Sequence, residues 1–210
     1  MKKPIRILIV DDHAMLRLGL AQAIGCENDL VVVGQAANGA QALELYRQLR
    51  PDVVTMDYNL PRQTGIECTA AIRREFPEAR VILLSIHEGD EDIWRAIQAG
   101  ALGYVSKAVE ISEVIDAVRQ VARDRPYFST GLAEKIAARP PGDTLSPREL
   151  QVLRLIVVGR SNKEISDLLQ LAPTRVRRLI EQIFKKLHVE DRTQATTVSI
   201  QRGIVHLDEV

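Results

Sequence analysis

Val53-Val54-Thr55-Met56-Asp57 is the stretch that decides the fold. It runs through four residues with no charge and then stops on a carboxylate. A strand with one buried face alternates apolar and polar residues, so a continuously apolar run marks a strand covered on both faces. The same form recurs outward in both directions. Ile5–Val10 stops at Asp11-Asp12, residues 81–84 stop at Ser85, and residues 103–105 lie just before Lys107. A further apolar run covers residues 31–34. Between and after these five strands, helical spacing of apolar residues predicts helices near 14–25, 39–49, 66–75, 91–99 and 111–123. The last carries Ile111, Val114, Ile115, Val118 and Val121 on one face. Strands alternating with helices predict a parallel sheet with helices on both faces.

The chain has 210 residues, enough for two small domains with separate cores. Apolar residues make up 46% and charged residues 27%, a balance that supports a buried core and excludes bulk disorder. No run approaches the roughly 18 apolar residues that span a bilayer, so no membrane partner is expected. The opening Met1-Lys2-Lys3-Pro4 before Ile5–Val10 imitates an export signal, but Asp11 and Asp12 end the apolar run too soon. Cys26 and Cys68 are too few for a disulfide framework or a metal knuckle, and a cytoplasmic location is the expectation. Basic and acidic residues balance at 28 each, but unevenly along the chain. Residues 1–124 hold 14 basic and 18 acidic residues, and residues 125–210 hold 14 and 10. That asymmetry points the second half toward a polyanion.

Arg139-Pro140-Pro141-Gly142-Asp143 breaks the rhythm with linker chemistry. The expected organisation is a domain over residues 1–124, a linker over 125–143, and a second domain over 144–210. The second domain reads as all-helical. Ser146-Pro147-Arg148-Glu149 and Ser161-Asn162-Lys163-Glu164 are both capping boxes that open helices. Pro173 begins a longer helix with Val176, Ile180, Ile183, Phe184 and Leu187 inward, and a fourth helix covers about 193–202.

The polar residues at the strand ends carry the chemistry. In an open parallel sheet the carboxyl ends converge on one edge, where ligands bind. Carboxylates that close repel one another unless a cation compensates, and hard oxygen donors with open positions favour Mg²⁺. Lys107 supplies a fixed positive charge and Ser85 a hydroxyl. The set suits phosphoryl transfer to a carboxylate.

These residues resemble the receiver domain of two-component response regulators. The likeness rests on Asp11-Asp12, Asp57 with Pro61 and Gly65 behind it, Ser85, Tyr104 and Lys107. The stretch from Ala99 to Lys107 matches the NarL/FixJ subgroup. The resemblance implies that Asp57 is the phosphoacceptor. It implies that Asp12, Asp57 and the backbone carbonyl of Asn59 hold Mg²⁺, with Asp11 assisting through water. Ser85 and Lys107 then contact the phosphoryl oxygens, and Tyr104 changes rotamer on activation. Asn59 and His87 lie where this family tunes loss of phosphate. Ala108 stands where the family often has proline, so the family's cis peptide is not expected here. His13, at a helix start, reads as solvent-facing rather than as a metal ligand.

On the helix over 174–187, Arg175, Arg178, Gln182, Lys185 and Lys186 occupy the arc opposite the core. Such a helix fits a major groove, where Arg reads guanine edges and Lys meets phosphates. A solvated charged surface is the plainer alternative. Leu145-Ser146-Pro147-Arg148-Glu149, Gly159 to Ile165, Lys186-Leu187 and Arg192-Thr193-Gln194-Ala195 resemble the LuxR-type helix-turn-helix domain. Lys163, Thr174 and Arg177 join the expected DNA contacts. The implied fold is α/β: a flavodoxin-like, five-stranded parallel-sheet receiver followed by an all-α four-helix helix-turn-helix domain. Where the family usually begins its recognition helix with Ser-x-x-Thr-Val-Lys-x-His, this chain has Ala172, Arg175 and Leu179 at the first, fourth and eighth positions.

The implied function is a NarL/FixJ-type regulator, not an enzyme. A sensor histidine kinase phosphorylates Asp57, which controls dimerisation, binding to double-stranded DNA and transcription. The altered stretch from Ala172 to Leu179 leaves two alternatives, a receiver-controlled protein-interaction module or a phosphorylation-independent DNA binder. An aspartate-nucleophile phosphatase is disfavoured, because it needs a second carboxylate two residues past the nucleophile and Asn59 stands there.

Overall fold

A computed structural model describes residues 3–129 and 144–206, and the chain divides into two compact units. In the first, strands β1 (Ile5–Val10), β2 (Leu30–Ala36), β3 (Val53–Asp57), β4 (Val81–Ser85), β5 (Gly103–Ser106) and β6 (Tyr127–Phe128) form one sheet. Its order is β2-β1-β3-β4-β5-β6 and every pairing is parallel. Helices α1 (Ala14–Gly25), α2 (Gly39–Leu49), α3 (Gly65–Glu75), α4 (Asp90–Gln98) and α5 (Ile111–Val121) connect and cover the strands.

Successive strand residues point to opposite faces, so each strand feeds two cores. Leu8, Val10, Val54, Met56 and Leu83 pack with Ala42 and Tyr46 of α2, Ile72 of α3 and Ile93 of α4. Ile7, Ile9, Val53, Ile82 and Leu84 pack instead with Leu20 and Ile24 of α1 and with Val114 and Val118 of α5. This two-sided burial explains why β3 and β4 are apolar almost throughout, and both are fully buried.

The five expected strands are present, and a sixth extends the sheet. Gly103 and Tyr104 of β5 align with Tyr127 and Phe128. A two-residue strand is too short to register as periodicity, yet it covers an edge that otherwise leaves backbone groups unpaired. It lies inside the segment expected as linker, whose remainder from residue 130 to residue 143 lies outside the described residues.

The second unit holds α6 (Pro147–Val157), α7 (Asn162–Leu169), α8 (Pro173–Leu187) and α9 (Arg192–Gln201). Its core joins Val152, Leu153 and Ile156 to Ile165, to Val176, Ile180, Ile183 and Leu187, and to Ala195. Both expected capping boxes are formed, Ser146 with Glu149 and Ser161 with Glu164. α8 starts on Ala172 with no side-chain cap, and Pro173 at its first position presets the backbone.

The start of α3 presses on the end of β3. The Gly65 N–H donates to the Tyr58 carbonyl at 2.7 Å, and a Cβ at Gly65 would lie 2.0 Å from the Asp57 carbonyl oxygen. The two nearest atoms belong to the Asp57 backbone, which no side-chain movement relieves, and Leu83 Cδ2 lies 2.9 Å away. Gly65→Ala should therefore lower stability by about 1–3 kcal/mol, the usual penalty for overpacking. Urea unfolding with an unchanged midpoint would mean that α3 shifts freely away from β3.

Candidate functional site

The carboxyl ends of β1, β3, β4 and β5 place the expected site residues at one edge of the sheet. Asp11, Asp57 and Ser85 are buried there, and Asp12 is exposed. The Lys107 ammonium reaches across from the end of β5. Its Nζ lies 3.0 Å from Asp11 Oδ2 and 2.8 Å from Asp57 Oδ1. Together with Asn59, Ser85 and Lys107, Asp57 lines a cleft of about 430 Å³.

The two oxygens of Asp57 differ. Oδ1 takes Lys107 and the Asn59 backbone N–H at 3.2 Å. Oδ2 is buried and has no hydrogen-bond partner among the described residues. A buried acceptor of this kind is rare and calls for a donor or a cation. Burial pushes the Asp57 carboxyl above its ordinary range, and the neighbouring Asp11 charge adds to that, while Lys107 opposes both.

Asp11, Asp12, His13 and Asp57 each offer a ligand atom, all within 4.8 Å of one another. Oxygen-rich donors beside an orphaned carboxylate oxygen fit a hard divalent cation such as Mg²⁺. His13 is exposed, as expected, but its ring turns toward the carboxylates, with Nδ1 2.8 Å from Asp12 Oδ1.

A second hydrogen-bonded group flanks the cleft. Ser85 Oγ accepts from the His87 backbone N–H at 2.9 Å. The fully buried Tyr104 donates its hydroxyl to the His87 carbonyl at 2.8 Å. Asn59 Nδ2 lies 3.3 Å from His87 Nε2. Tyr104 is thus tied to the residue two past Ser85, a link that strand-end spacing does not reveal. No peptide bond is cis among the described residues, the one after Lys107 included.

In the second unit Lys163 is exposed on α7, and Thr174, Arg175, Arg177, Arg178, Gln182 and Lys185 are exposed on α8. Lys186 departs from the expected open arc. It is half-buried, 2.7 Å from Glu149 Oε2 and 3.1 Å from the Thr144 carbonyl. Lys186 stands at the margin of the basic arc, where its long stem reaches the buried Glu149 in the first turn of α6. Burial works to raise the Glu149 carboxyl, but the Lys186 ammonium and the Ser146 N–H and hydroxyl outweigh it and hold Glu149 below its ordinary range. Glu149 and Lys186 lie 37 residues apart, so neither helix pattern alone signals the pair.

The raised Asp57 has a consequence for stability. Its carboxyl binds a proton more readily folded than unfolded, so stability falls as pH rises from the unfolded carboxyl range through the folded one. The penalty is present in full above the folded carboxyl range. Asp57→Asn removes the charge at nearly constant shape and should raise the melting temperature by a few degrees, about 1 kcal/mol for a domain of this size. A melting temperature that is unchanged or lower would show that Lys107 already compensates the buried charge.

Comparison with known proteins bears on both units. A family model described as "Response regulator receiver domain" matches residues 7–119. A second, described as "Bacterial regulatory proteins, luxR family", matches residues 143–199. The chain is 35% identical over 210 residues to the transcriptional regulatory protein LiaR of Bacillus subtilis (strain 168), covering 96% of this chain and 100% of LiaR. It is 32% identical over 206 residues to the response regulator protein VraR of Staphylococcus aureus (strain COL), covering 96% and 99%. Among solved structures, a complex of the two-component response regulator RcsB with DNA superposes with a TM-score of 0.70. At 20% identity over 95% of this chain and 99% of RcsB, that likeness speaks for the fold alone. Both family models describe regulatory domains, and the relatives are named as a transcriptional regulatory protein and a response regulator, so the chain is a regulator and not an enzyme. It belongs to the two-component response regulators, with a receiver domain followed by a LuxR-type DNA-binding domain.

Proposed function

We propose that Asp57 accepts a phosphoryl group from a sensor histidine kinase, and that its phosphorylation controls dimerisation and sequence-specific DNA binding to regulate transcription. The observation that carries this reading is the buried Asp57 carboxylate, held by Lys107 through Oδ1 and with no hydrogen-bond partner at Oδ2 among the described residues. In this reading residues 1–124 act as the receiver, 125–143 as the linker and 144–210 as the DNA-binding domain. A cytoplasmic location follows from those partners.

The transfer forms a bond between an Asp57 oxygen and phosphorus and breaks the phosphorus–nitrogen bond of the donor phosphohistidine. Asp12 and Asp57, with the Asn59 carbonyl, would hold Mg²⁺, with Asp11 assisting through water. The ion supplies positive charge against the phosphoryl oxygens. Lys107, already 2.8 Å from Asp57 Oδ1, needs only a small movement to pair with a phosphoryl oxygen. Ser85 Oγ supplies a hydroxyl donor at the same edge. Tyr104 reports the change, because its hydroxyl is tied to the main chain of His87, two residues past Ser85.

On DNA, α8 enters the major groove. Arg175, Arg178, Gln182 and Lys185 face the duplex, Thr174 and Arg177 flank them, and Lys163 of α7 meets a phosphate. Lys186 serves first as the partner of Glu149. Arg175 brings a cation to a position where relatives of this type carry a hydroxyl, which favours phosphate contact.

Asp57→Ala should abolish acid-labile labelling by a small-molecule phosphodonor, and labelling that persists undiminished would move the acceptor elsewhere. Lys185→Ala should weaken DNA binding across sequences and reduce the slope of log affinity against log salt by about 0.9, the value for one lost phosphate contact. A slope that stays the same would remove Lys185 from the phosphate contacts. DNA affinity that is equal before and after phosphorylation would favour the phosphorylation-independent alternative.

A further inference from the structure

The cations on the basic face of α8 are not held alike. Arg175, Arg178 and Lys185 are exposed and make no hydrogen bond or ion pair among the described residues. Lys186, the next residue, is bound twice. Its Nζ lies 2.7 Å from Glu149 Oε2 and donates to the Thr144 carbonyl at 3.1 Å.

Glu149 is only 4% exposed, and the same Oε2 accepts the Ser146 backbone N–H at 2.6 Å. Held below its ordinary range, its carboxyl stays ionised at neutral pH. A Lys186 that left for a DNA phosphate would strand this buried charge, and breaking one side of a buried pair is strongly unfavourable. Lys185 leaves no such charge behind when it meets a phosphate. The Lys186 side chain is nevertheless 32% exposed, so it lies close enough to the surface to turn outward once its partner is gone. A lysine adds to sequence-independent DNA binding by displacing counterions from a phosphate. Lys186 already spends its charge on a carboxylate.

We propose that Glu149 is an internal stand-in for a DNA phosphate, which keeps Lys186 off the duplex and sets the electrostatic grip of α8 one cation below what its sequence offers. Glu149 is a positioning residue: it acts through Lys186 and does not itself touch DNA. The inference rests on the reading of α8 as the DNA-contacting helix, and it adds a residue outside α8 that tunes its affinity.

The test measures binding of the full-length protein to a duplex of arbitrary sequence by fluorescence anisotropy across a salt series. Glu149→Gln keeps a side chain able to close the capping box with Ser146 and releases Lys186. The slope of log affinity against log salt should steepen by about 0.9, so that the affinity lost between about 50 and 200 mM salt grows about 3.5-fold. Lys186→Met should leave the wild-type slope unchanged. Adding Lys186→Met to Glu149→Gln should return the slope to the wild-type value, which separates a released lysine from the mere loss of a negative charge. Circular dichroism checks that each variant is folded; where Lys186→Met alone fails to fold, the Glu149→Gln variant and the double variant, which bury no lone charge, carry the test. A Glu149→Gln slope equal to wild type, a steepened slope that survives in the double variant, or a Lys186→Met slope reduced by about 0.9 overturns the inference and leaves DNA binding by α8 in place. Wild-type protein that shows no salt-dependent binding overturns the DNA reading and this inference together.

Discussion

The receiver depends on one cation held between two buried carboxylates. Lys107 reaches from the end of β5 to Asp11 after β1 and to Asp57 at the end of β3. Buried like charges repel strongly in a medium of low polarity, and an internal ammonium allows them to stay together. The compensation is incomplete. Asp57 keeps an oxygen with no hydrogen-bond partner among the described residues, and its carboxyl is raised by burial.

The surrounding fold serves that arrangement. Strand order places β3 between β1 and β4, so Asp57 sits between Asp11, which follows β1, and Ser85, which ends β4. Gly65 lets α3 begin directly against the Asp57 backbone, and its N–H ties the intervening turn to Tyr58. Ser85, His87, Asn59 and Tyr104 form a connected set on the other flank. Asp57 joins that set through the Asn59 backbone N–H.

The DNA-binding unit uses charge in two ways on one helix. Arg178 and Lys185 are exposed and keep their charge at the surface. Lys186, adjacent in sequence, turns to the buried Glu149 and ties α8 to the start of α6. The same Glu149 closes the capping box with Ser146. One carboxylate thus closes a helix start and ties down the last turn of the helix that carries the basic face.

Most of the fold was legible in the sequence. The five apolar runs, the capping boxes at Ser146 and Ser161, and the inward positions of α8 are local patterns, set by strand and helix geometry over a few residues. The strand-end polar residues were legible for the same reason, since the runs stop where Asp11, Asp57, Ser85 and Lys107 begin. Three features were not. Tyr127–Phe128 is too short to show a period, and its strand exists because the edge of β5 pairs with it. Lys186 lay on the basic arc by angle alone, and only the packing of α6 against α8 brought Glu149 within reach. The direction of the His13 ring depends on a rotamer and on how Asp11 holds its backbone, which no periodicity encodes. Sequence by itself determined which residues stand at the sheet's edge and on the helix faces, because those positions follow from local periods. Tertiary structure alone decided which of them touch, because each decisive contact joins groups whose distance is set by packing and register rather than by their spacing in the chain.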